Sequence, residues 1–192
     1  MRDLAVVIGN GVSRLNFDLY ELKRCFTTYA CNAAYRDFIP DYLISMDIHM
    51  VTEIINARAH HKCKFYTQHI NDMDLLAGNG EPINFIKTYA STPDSGTAAT
   101  ELAASLGHTV IYMIGFDHNQ GKYNNVYSGT ANYHSVGYQT PLVQDEKWLS
   151  RLYSISKSYP DTRFYRVSDE VYDYKLNNLT NLTIESFMEA IC

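Results

Sequence analysis

The sequence has no apolar run of about 18 residues, the length that a helix needs to cross a bilayer. Its N-terminus enters a short apolar stretch with no longer hydrophobic region and no Ala-x-Ala cleavage site, so no secretory signal is predicted. The 192 residues also contain no internal repeat, low-complexity tract or linker. These absences predict a single cytoplasmic domain without a membrane span.

Positive charge is scarce in this chain. It carries 16 Lys and Arg against 21 Asp and Glu, which gives a formal net charge of -5. Proteins that bind nucleic acids in general are usually basic, so we do not expect this class. A small anionic ligand, held by a few backbone N–H groups, remains compatible with the charge.

Cysteine is also scarce, and the spacings that bind structural metals are absent. The four cysteines (Cys25, Cys31, Cys63 and Cys192) form no Cys-x-x-Cys pair, and no His-Glu-x-x-His is present. We therefore predict no structural zinc and expect reduced, mostly buried thiols, with disulfides as the alternative. The pair His60-His61 lies at a predicted helix end, where a cation suits the helix dipole, so we expect it on the surface.

The apolar residues lie in short runs typical of strands that are covered on both faces. The predicted strands are 4–8, 26–31, 42–46, 64–67, 110–114 and 163–167, and the predicted helices are 48–59, 97–106, 144–158 and 184–191. Residues 68–93 show no clear pattern beyond a turn at 78–80. The alternation predicts a single Rossmann-like α/β domain with a largely parallel sheet and helices on both faces.

Several predicted strands end in glycine or a short polar residue. Ligands of open parallel sheets bind past the carboxyl ends of the strands, so these ends predict a site, although turns use the same residues. Gly9-Asn10-Gly11 is only part of a dinucleotide fingerprint, because Arg14 stands where the third glycine would fall. The candidate nucleotide-binding residues are Gly9, Asn10, Gly11, Ser13, Asn32, Ser95, Gly96, Thr97, Gly115, Asp117 and Tyr123, and the further candidates are Asp47, His118 and Tyr127.

Two segments next to these strand ends could act on a ligand. The Ala-rich helix is preceded by Asp94 and Ser95, either of which could cap it, and its N-terminus could instead face a phosphate or carboxylate. Residues 118–143 are polar, rich in Tyr, Asn and Gly, and without a period, which is typical of a functional loop or lid. His118 and His134 lie in this loop, and either could serve as a general base. We assign 1–170 to a nucleotide-binding domain and 171–192 to a C-terminal extension.

The series of motifs resembles a known family. Gly9-Asn10-Gly11-Val12-Ser13 resembles the Gly-Asn-Gly-Pro-Ser start of the family-42 bacterial sialyltransferases. Asn32 follows a cysteine as in that family, and Ser95-Gly96 before an Ala-rich helix resembles its Ser-Gly segment. Ile111-Tyr112-Met113-Ile114-Gly115-Phe116-Asp117 resembles its Ile-Tyr-Leu-x-Gly-Ile-Asp strand, and the order agrees from residue 4 to about residue 136.

This resemblance implies a GT-A-like fold that binds a CMP-activated sugar and transfers the sugar to an acceptor hydroxyl without a metal. It implies nucleotide contacts at Asn10, Asn32 and Ser95-Gly96, a phosphate contact from Tyr123, and His134 as the general base. The sequence departs from the family at Val12, which stands in place of proline, and near His118-Asn119, where a second Tyr is missing.

Other functions stay open at this point. The 6-hydroxymethylpterin diphosphokinase-like family shares much of the framework, and residues 40–47 resemble its Pro-Asp-Tyr-x-x-x-x-Asp. That resemblance implies a Mg²⁺-dependent diphosphokinase acting on a pterin-like alcohol, with Asp47 and Asp117 as metal ligands. A non-catalytic nucleotide-binding module is the third alternative, and small bacterial and phage proteins also look similar. The acceptor is not predicted, and exposed Tyr and Met are compatible with a homo-oligomer.

Overall fold

One parallel sheet organises the chain, of which a computed structural model describes residues 3–68, 80–88, 94–118, 122–141, 143–170 and 172–191. Its eight strands are β1 (Leu4–Ile8), β2 (Thr27–Cys31), β3 (Tyr42–Ser45), β4 (Lys64–Thr67), β5 (Ile83–Phe85), β6 (Val110–Ile114), β7 (Arg163–Val167) and β8 (Leu179–Leu182). They lie in the order β5-β4-β3-β2-β1-β6-β7-β8, and all neighbours pair in parallel. The predicted Rossmann-like α/β fold is confirmed.

Helices cover both faces of the sheet, as predicted. The described helices are α1 (Leu19–Cys25), α2 (Ile48–Asn56), α3 (Ser95–Ser105), α4 (Val143–Ser158) and α5 (Ile184–Ile191), with short 3-10 turns at Val12–Asn16, Asn32–Arg36 and Ala59–His61. Residues of α3 and α4 pack in one apolar cluster, and residues of α1 and α5 pack in a second cluster across the sheet. None of the helices in these ranges is both long and apolar enough to cross a membrane.

The central strand β1 shows why its sequence has no polar alternation. Ala5 and Val7 join the cluster beneath α3, whereas Val6 and Ile8 join the cluster beneath α1 and α5. All four residues are fully buried, because successive side chains of a strand point to opposite faces and both faces are covered here. The small side chains of α3 let that helix lie close to the sheet.

Several element boundaries differ from the prediction for local reasons. The second helix ends at Asn56 rather than at residue 59, since Arg58 takes a left-handed conformation with φ of 55°. The helix predicted from residue 97 begins at Ser95, because the Asp94 side chain accepts a hydrogen bond from the Thr97 N–H and caps it there. The elements α1, β5 and β8 were not predicted: α1 has seven residues and one buried side chain, and the two strands are short and only partly apolar.

Some of the predicted segments are described only in part. Residues 69–79, 89–93, 119–121 and 142 lie outside the described residues, so part of the predicted turn at 78–80 and part of the predicted lid do too. After residue 171 the chain supplies β8, which extends the sheet beside β7, and α5, whose Phe187 is fully buried. The division of the chain at residue 170 stays a prediction.

Candidate functional site

A crevice forms where the direction of the strand order reverses. The chain builds the sheet outward from β1 to β5, then returns through α3 to place β6 on the other side of β1. The connections on the two sides of β1 therefore diverge, and this leaves space past the carboxyl ends of β1 and β6. A cavity of about 290 Å³, called here the central cavity, lies at this position.

Most of the predicted nucleotide-binding residues line the central cavity, together with residues that were not predicted. The predicted residues in its lining are Gly9, Asn10, Gly11, Asn32, Ser95, Gly96, Gly115, Asp117 and Tyr123. The other lining residues are Cys31, Asp94, Phe116, Asn124, Asn125, Gln144, Asp145, Trp148 and Arg151. The predicted candidates Ser13, Asp47, Thr97, His118, Tyr127 and His134 do not line it.

The glycines at the ends of β1 and β6 are required by a close backbone contact. Gly9 N donates to Ile114 O over 2.8 Å, and Gly11 N donates to Gly115 O over 2.9 Å. A Cβ atom on Gly9 would lie 2.4 Å from Gly115 O, and Gly115 itself has a left-handed φ of 66°. The Gly-x-Gly sequence is thus explained by packing of the two strand ends, which form the floor of the central cavity.

Asn10 is held in a defined orientation between these strand ends and the loop above them. Its Nδ2 donates to Cys31 O over 3.2 Å and to the Tyr133 hydroxyl over 3.3 Å, while its Oδ1 accepts from Arg14 Nη1 over 2.9 Å. Its backbone O also accepts from Val126 N over 2.9 Å. A residue with so many partners is fixed before any ligand arrives.

The residue that orients Asn10 is a buried arginine. Only 3% of the Arg14 side chain is exposed, and its Nη2 donates to Asp37 over 2.6 Å and to the Tyr127 hydroxyl over 2.7 Å. Tyr127 in turn donates to Asp37 over 2.6 Å. Burial raises the pKa of Tyr127 and the hydrogen bond to Asp37 raises it further. Tyr127, a predicted ligand-contacting candidate, therefore supports the site from behind instead of lining it.

Asn32 connects three elements at the opposite wall of the central cavity. Its backbone has a left-handed φ of 52°, and its Oδ1 accepts from the Ser45 hydroxyl over 2.9 Å and from the Ser95 hydroxyl over 2.8 Å. The Ser95 hydroxyl accepts from Met46 N over 3.0 Å. The ends of β2, β3 and the start of α3 are thereby joined at one carboxamide, whose Nδ2 donates to none of the described residues.

The N-terminus of α3 carries a paired charge at the cavity wall. Asp94 caps the helix through Thr97 N at 2.9 Å and the Thr97 hydroxyl at 2.8 Å, and it pairs with Arg151 Nη1 of α4 over 2.8 Å. A Cβ atom on Gly96 would meet the Phe116 ring at 3.2 Å. The salt bridge ties the beginning of α3 to α4, so the two helices close one side of the cavity together.

Asp47 and Asp117, the two Mg²⁺ ligands that the diphosphokinase alternative implies, bind different partners. Asp117 accepts a 2.9 Å hydrogen bond from Ser13 N and a short one from the Ser13 hydroxyl, whereas exposed Asp47 caps α2 through His49 N at 2.8 Å and Met50 N at 3.2 Å. Asp47 does not line the central cavity. Neither aspartate belongs to the cluster of possible metal donors found among the described residues. The Mg²⁺-dependent alternative gains no support from this arrangement.

The loop after β6 brings tyrosine and histidine to the rim. Tyr123 lines the central cavity, and the exposed His134 contacts its ring edge-on with 5.2 Å between ring centroids. The His134 ring also stacks on Tyr138 at 3.8 Å. Burial raises the pKa of Tyr123, and a hydrogen bond with the His134 backbone opposes this in part. His134 thus contacts a ring that lines the central cavity but does not line the cavity itself.

His118, the other candidate base, is half-buried between aromatic rings. Its ring centroid lies 5.3 Å from those of Trp148 and Tyr172, and its Nε2 is buried with no partner in the described part of the chain. Burial lowers the pKa of His118, and the positive charge of Arg166 lowers it further. The imidazole is therefore neutral at pH 7, but it does not face the central cavity.

An ionic cluster anchors the same loop to α2. Glu53 accepts from Arg36 Nη2 over 2.6 Å and 2.7 Å, one distance to each carboxylate oxygen, and from Tyr35 over 2.6 Å. Asn132 Nδ2 donates to the same carboxylate over 2.6 Å, and Arg36 donates to Thr130 over 2.9 Å. Although burial raises the pKa of Glu53, the hydrogen bonds from Tyr35, Arg36 and Asn132 lower it overall.

Sequence reasoning missed the buried arginines that support the site. Arg166 of β7 is fully buried, and its Nε donates to Phe116 O over 2.7 Å, which fixes the backbone at the end of β6. Arg166 stands between Tyr165 and Val167 inside a predicted strand, and a charged residue in such a position is the signal that could have found it. The helix α4, which carries Trp148 and Arg151, was predicted. Its orientation toward α3 depends on tertiary packing, and the sequence contains no pattern that indicates it.

Comparison with known proteins gives matches among solved structures alone. No protein-family model matches the sequence, and no curated protein matches it. An α-2,3-sialyltransferase from Campylobacter jejuni in apo form matches with a TM-score of 0.58 and 15% identity over 93% of this chain and 80% of that chain. The monofunctional α-2,3-sialyltransferase Cst-I from C. jejuni matches with a TM-score of 0.55 and 16% identity over 88% of this chain and 76% of that chain.

A third match is the sialyltransferase CST-II in complex with a trisaccharide acceptor and CMP. Its TM-score is 0.51 and its identity 13%, over 97% of this chain and 98% of that chain. At this level of identity the likeness establishes the Rossmann-like fold, which agrees with the sheet and helices described above. These matches lend no support to the pterin diphosphokinase alternative.

Proposed function

We propose that this protein is a glycosyltransferase that takes a sugar from a nucleotide donor, with a CMP-sugar as the donor class. The observation that carries the proposal is the central cavity, which lies at the strand reversal and is walled by fixed carboxamides at Asn10 and Asn32 and by Ser95-Gly96. A structural match contains CMP and an acceptor trisaccharide. The sequence motifs and the fold therefore support the same class of reaction.

Most hydrogen-bond donors in the cavity wall are neutral side chains, although Asp94, Asp117 and Asp145 also line it. The Nδ2 group of Asn32 and the hydroxyl of Tyr123 are available to a nucleotide, and the raised pKa of Tyr123 keeps its phenol protonated at neutral pH. A neutral donor aimed at the phosphate would stabilise the charge that develops on a leaving nucleotide. Asp94 is already paired with Arg151, which reduces its repulsion of an anionic donor.

In the proposed reaction an acceptor hydroxyl oxygen forms a bond to the anomeric carbon of the sugar. The bond between that carbon and the phosphate oxygen breaks, and the nucleoside monophosphate leaves with the electron pair. His134 accepts the proton of the acceptor hydroxyl, since it is exposed at the rim where an acceptor would approach. The proposal includes catalysis without a metal; a cytoplasmic location and a homo-oligomer stay predictions.

A thermal unfolding panel tests the donor. The protein is heated with CMP, CDP, UMP, UDP, ADP or GDP, each with Mg²⁺ or with EDTA. A nucleotide present at about 100 times its dissociation constant should add about 2.7 kcal/mol of stability. The proposal expects the largest rise in Tm with CMP, equal with Mg²⁺ and EDTA. A rise restricted to purine nucleotides with Mg²⁺ would contradict it, as would no rise with any nucleotide.

A non-catalytic nucleotide-binding module is the second candidate function. The position of His134 outside the cavity lining favours it, because a binding module needs no base. Both functions predict a rise in Tm with nucleotide. Incubation of a CMP-sugar with a panel of acceptor glycans distinguishes the two functions. Release of CMP supports the transferase, and tight binding without release supports the binding module.

A further inference from the structure

Two histidines and a glutamate come together at the edge of the sheet, away from the central cavity. His60 Nε2 lies 2.7 Å from Glu81 Oε2, and His61 Nε2 lies 2.9 Å from the same oxygen. The donor atoms of all three residues lie within 4.8 Å of one another. We propose that this cluster, called here the edge cluster, is a binding site for a divalent transition metal ion, with Zn²⁺ as the ion it fits best.

Local backbone structure brings both imidazoles to the same point. The left-handed conformation of Arg58 ends the path of α2 and starts the 3-10 turn Ala59–His61. In this turn the two adjacent rings lie with centroids 4.2 Å apart, tilted by 47°. Glu81 arrives from the segment before β5, two residues ahead of Ile83. The sequence predicted His60-His61 on the surface, but His60 is buried with 2% exposure, so that expectation is wrong for His60.

The donor set selects the class of ion. Two imidazole nitrogens and one carboxylate oxygen suit Zn²⁺ and its neighbours in the first transition row, whereas Mg²⁺ and Ca²⁺ require oxygen ligands. Zn²⁺ binds such donors at roughly 2.0–2.2 Å, which places donors of a tetrahedral site about 3.3 Å apart. The pairs at 2.7 Å and 2.9 Å would have to separate by roughly half an ångström. Side-chain rotation at two partly exposed residues can supply this movement.

One side of the edge cluster is open to solvent, because its three side chains are buried to different extents. The exposed fraction of the side chain is 2% for His60, 36% for His61 and 35% for Glu81. Water can therefore complete the fourth position of a tetrahedral site. The Nδ1 atom of His60 is buried and has no hydrogen-bond partner in the described ranges. A ligating histidine usually donates this N–H to an acceptor, and removal of such an acceptor typically costs about 10–100-fold in affinity, so we expect weaker binding than at a site where the N–H is paired.

A bound ion would tie the turn after α2 to the edge of the sheet. Strand β5 has three residues, and among the described strands it pairs with β4 alone. Glu81 precedes it closely, so a metal bridge from Glu81 to the two histidines would restrain this edge strand. An ion that binds the folded chain and not the unfolded chain raises stability by mass action. Metal binding and thermal stability should consequently rise together.

Calorimetric titration of the full chain with ZnCl₂, after removal of metal by EDTA and dialysis, tests the proposal. We expect saturable binding of one Zn²⁺ per chain, a rise in Tm with Zn²⁺ and none with Mg²⁺. His61→Asn and Glu81→Gln should each weaken binding at least tenfold. The control is His49→Ala, because His49 is exposed on α2 and lies outside the cluster.

The substituted residues are chosen so that a loss of metal binding is not confused with a loss of folding. Substitution of buried His60 could impair folding, so the partly exposed His61 and Glu81 carry the experiment, and circular dichroism must show both variants folded. Binding of Co²⁺ should give visible absorption typical of tetrahedral coordination in the parent chain and lose it in Glu81→Gln. Absence of one-to-one Zn²⁺ binding, or equal binding in the parent and both variants, overturns the proposal. Neither result bears on the nucleotide panel, so the two proposals can fail separately.

Discussion

The Ser95 hydroxyl donates to Asn32 Oδ1 over 2.8 Å, and this contact joins the start of α3 to the end of β2. The same oxygen accepts from Ser45 over 2.9 Å, so both acceptor positions of the carboxamide are occupied. The amide nitrogen of Asn32 is left for the central cavity. The Oδ1 atom of Asn32 therefore holds the fold together, and its Nδ2 group is left to bind a ligand. A substitution that changes only Nδ2 can test the second role without the first.

Asn32→Asp should abolish nucleotide binding while the fold is retained. A carboxylate still accepts from Ser45 and Ser95 and tolerates the left-handed backbone, but it cannot donate and it places negative charge beside a phosphate. We expect the rise in Tm with CMP to disappear and the Tm of the free protein to change little. Asn177→Asp adds the same charge at an exposed residue outside the cavity lining and should keep the rise. An unchanged response of the Asn32 variant would remove this residue from the nucleotide site.

Gly9→Ala should destabilise the protein strongly. The added Cβ would meet backbone oxygen of Gly115 at 2.4 Å, and the strand ends cannot separate without losing their hydrogen bonds. We expect a loss of about 1–3 kcal/mol or more in urea unfolding. Gly96→Ala is the comparison, because its Cβ would meet side-chain atoms, Asp94 Oδ1 and the Phe116 ring, each at 3.2 Å, in a helix that favours alanine. The stability of this variant should change by less than about 1 kcal/mol. Equal effects would contradict the packing argument.

Arg14→Met should weaken both stability and nucleotide binding. It removes donors to Asn10, Asp37 and Tyr127, and we expect a loss of about 1–3 kcal/mol, since buried acceptors remain unpaired while Asp37 is half exposed. Without its partner at Oδ1 the amide of Asn10 loses its orientation, so CMP should bind more weakly. Arg24→Met, at an exposed residue of α1, should stay within about 0.5 kcal/mol of the parent. Unaltered CMP affinity in the Arg14 variant would show that Asn10 needs no positioning.

Glu53→Gln should cost stability at neutral pH and little in acid. The folded pKa of Glu53 lies below its ordinary value of 4.5, so its contribution is complete above that pH and is lost as the pH falls through the folded pKa. We expect a difference of about 1–3 kcal/mol from the parent at pH 7 that shrinks below pH 4.5. Urea unfolding at a series of pH values measures it, with exposed Glu189→Gln as the control. A difference independent of pH would exclude the charged hydrogen bonds as its source.

His134→Ala should slow transfer by about 10²–10⁴ and leave the rise in Tm with CMP intact. The imidazole lies outside the cavity lining, so its removal does not touch a bound nucleotide. The neighbouring exposed Ser135→Ala should retain full activity. Turnover of the His134 variant at the parent rate would assign the proton to another group or to water.

The fold was predictable wherever buried strands are uninterrupted. The runs at 4–8 and 110–114 match β1 and β6, because strands covered on both faces need continuous apolar sequence. Strand β5 was not predicted, because a strand of three residues with one buried side chain is too short to show a hydrophobic pattern. For the site, the strand ends were informative because parallel strands end at one edge. The identity of the residues that touch the cavity from α4 depends on how helices pack, which spacing along the chain does not contain.

Candidate ligands and supporting residues could not be told apart from the sequence. Tyr123 and Tyr127 lie in the same polar loop, yet one lines the central cavity and the other is buried against Arg14. The distinction comes from a contact between residues 14 and 127, over a separation at which no local pattern operates. The same holds for the edge cluster, in which Glu81 meets a histidine 21 residues earlier in the chain.

An all-parallel arrangement also governs when the molecule can assemble during translation. Neighbouring parallel strands cannot be joined by a hairpin, and the register sets Leu4 beside Val110. The growing chain on the ribosome can therefore pair β1 with β2 early, but the second edge of β1 stays uncovered until residues 110–114 emerge. Until then this edge presents unpaired backbone N–H and C=O groups, and contacts so distant in sequence are expected to form slowly.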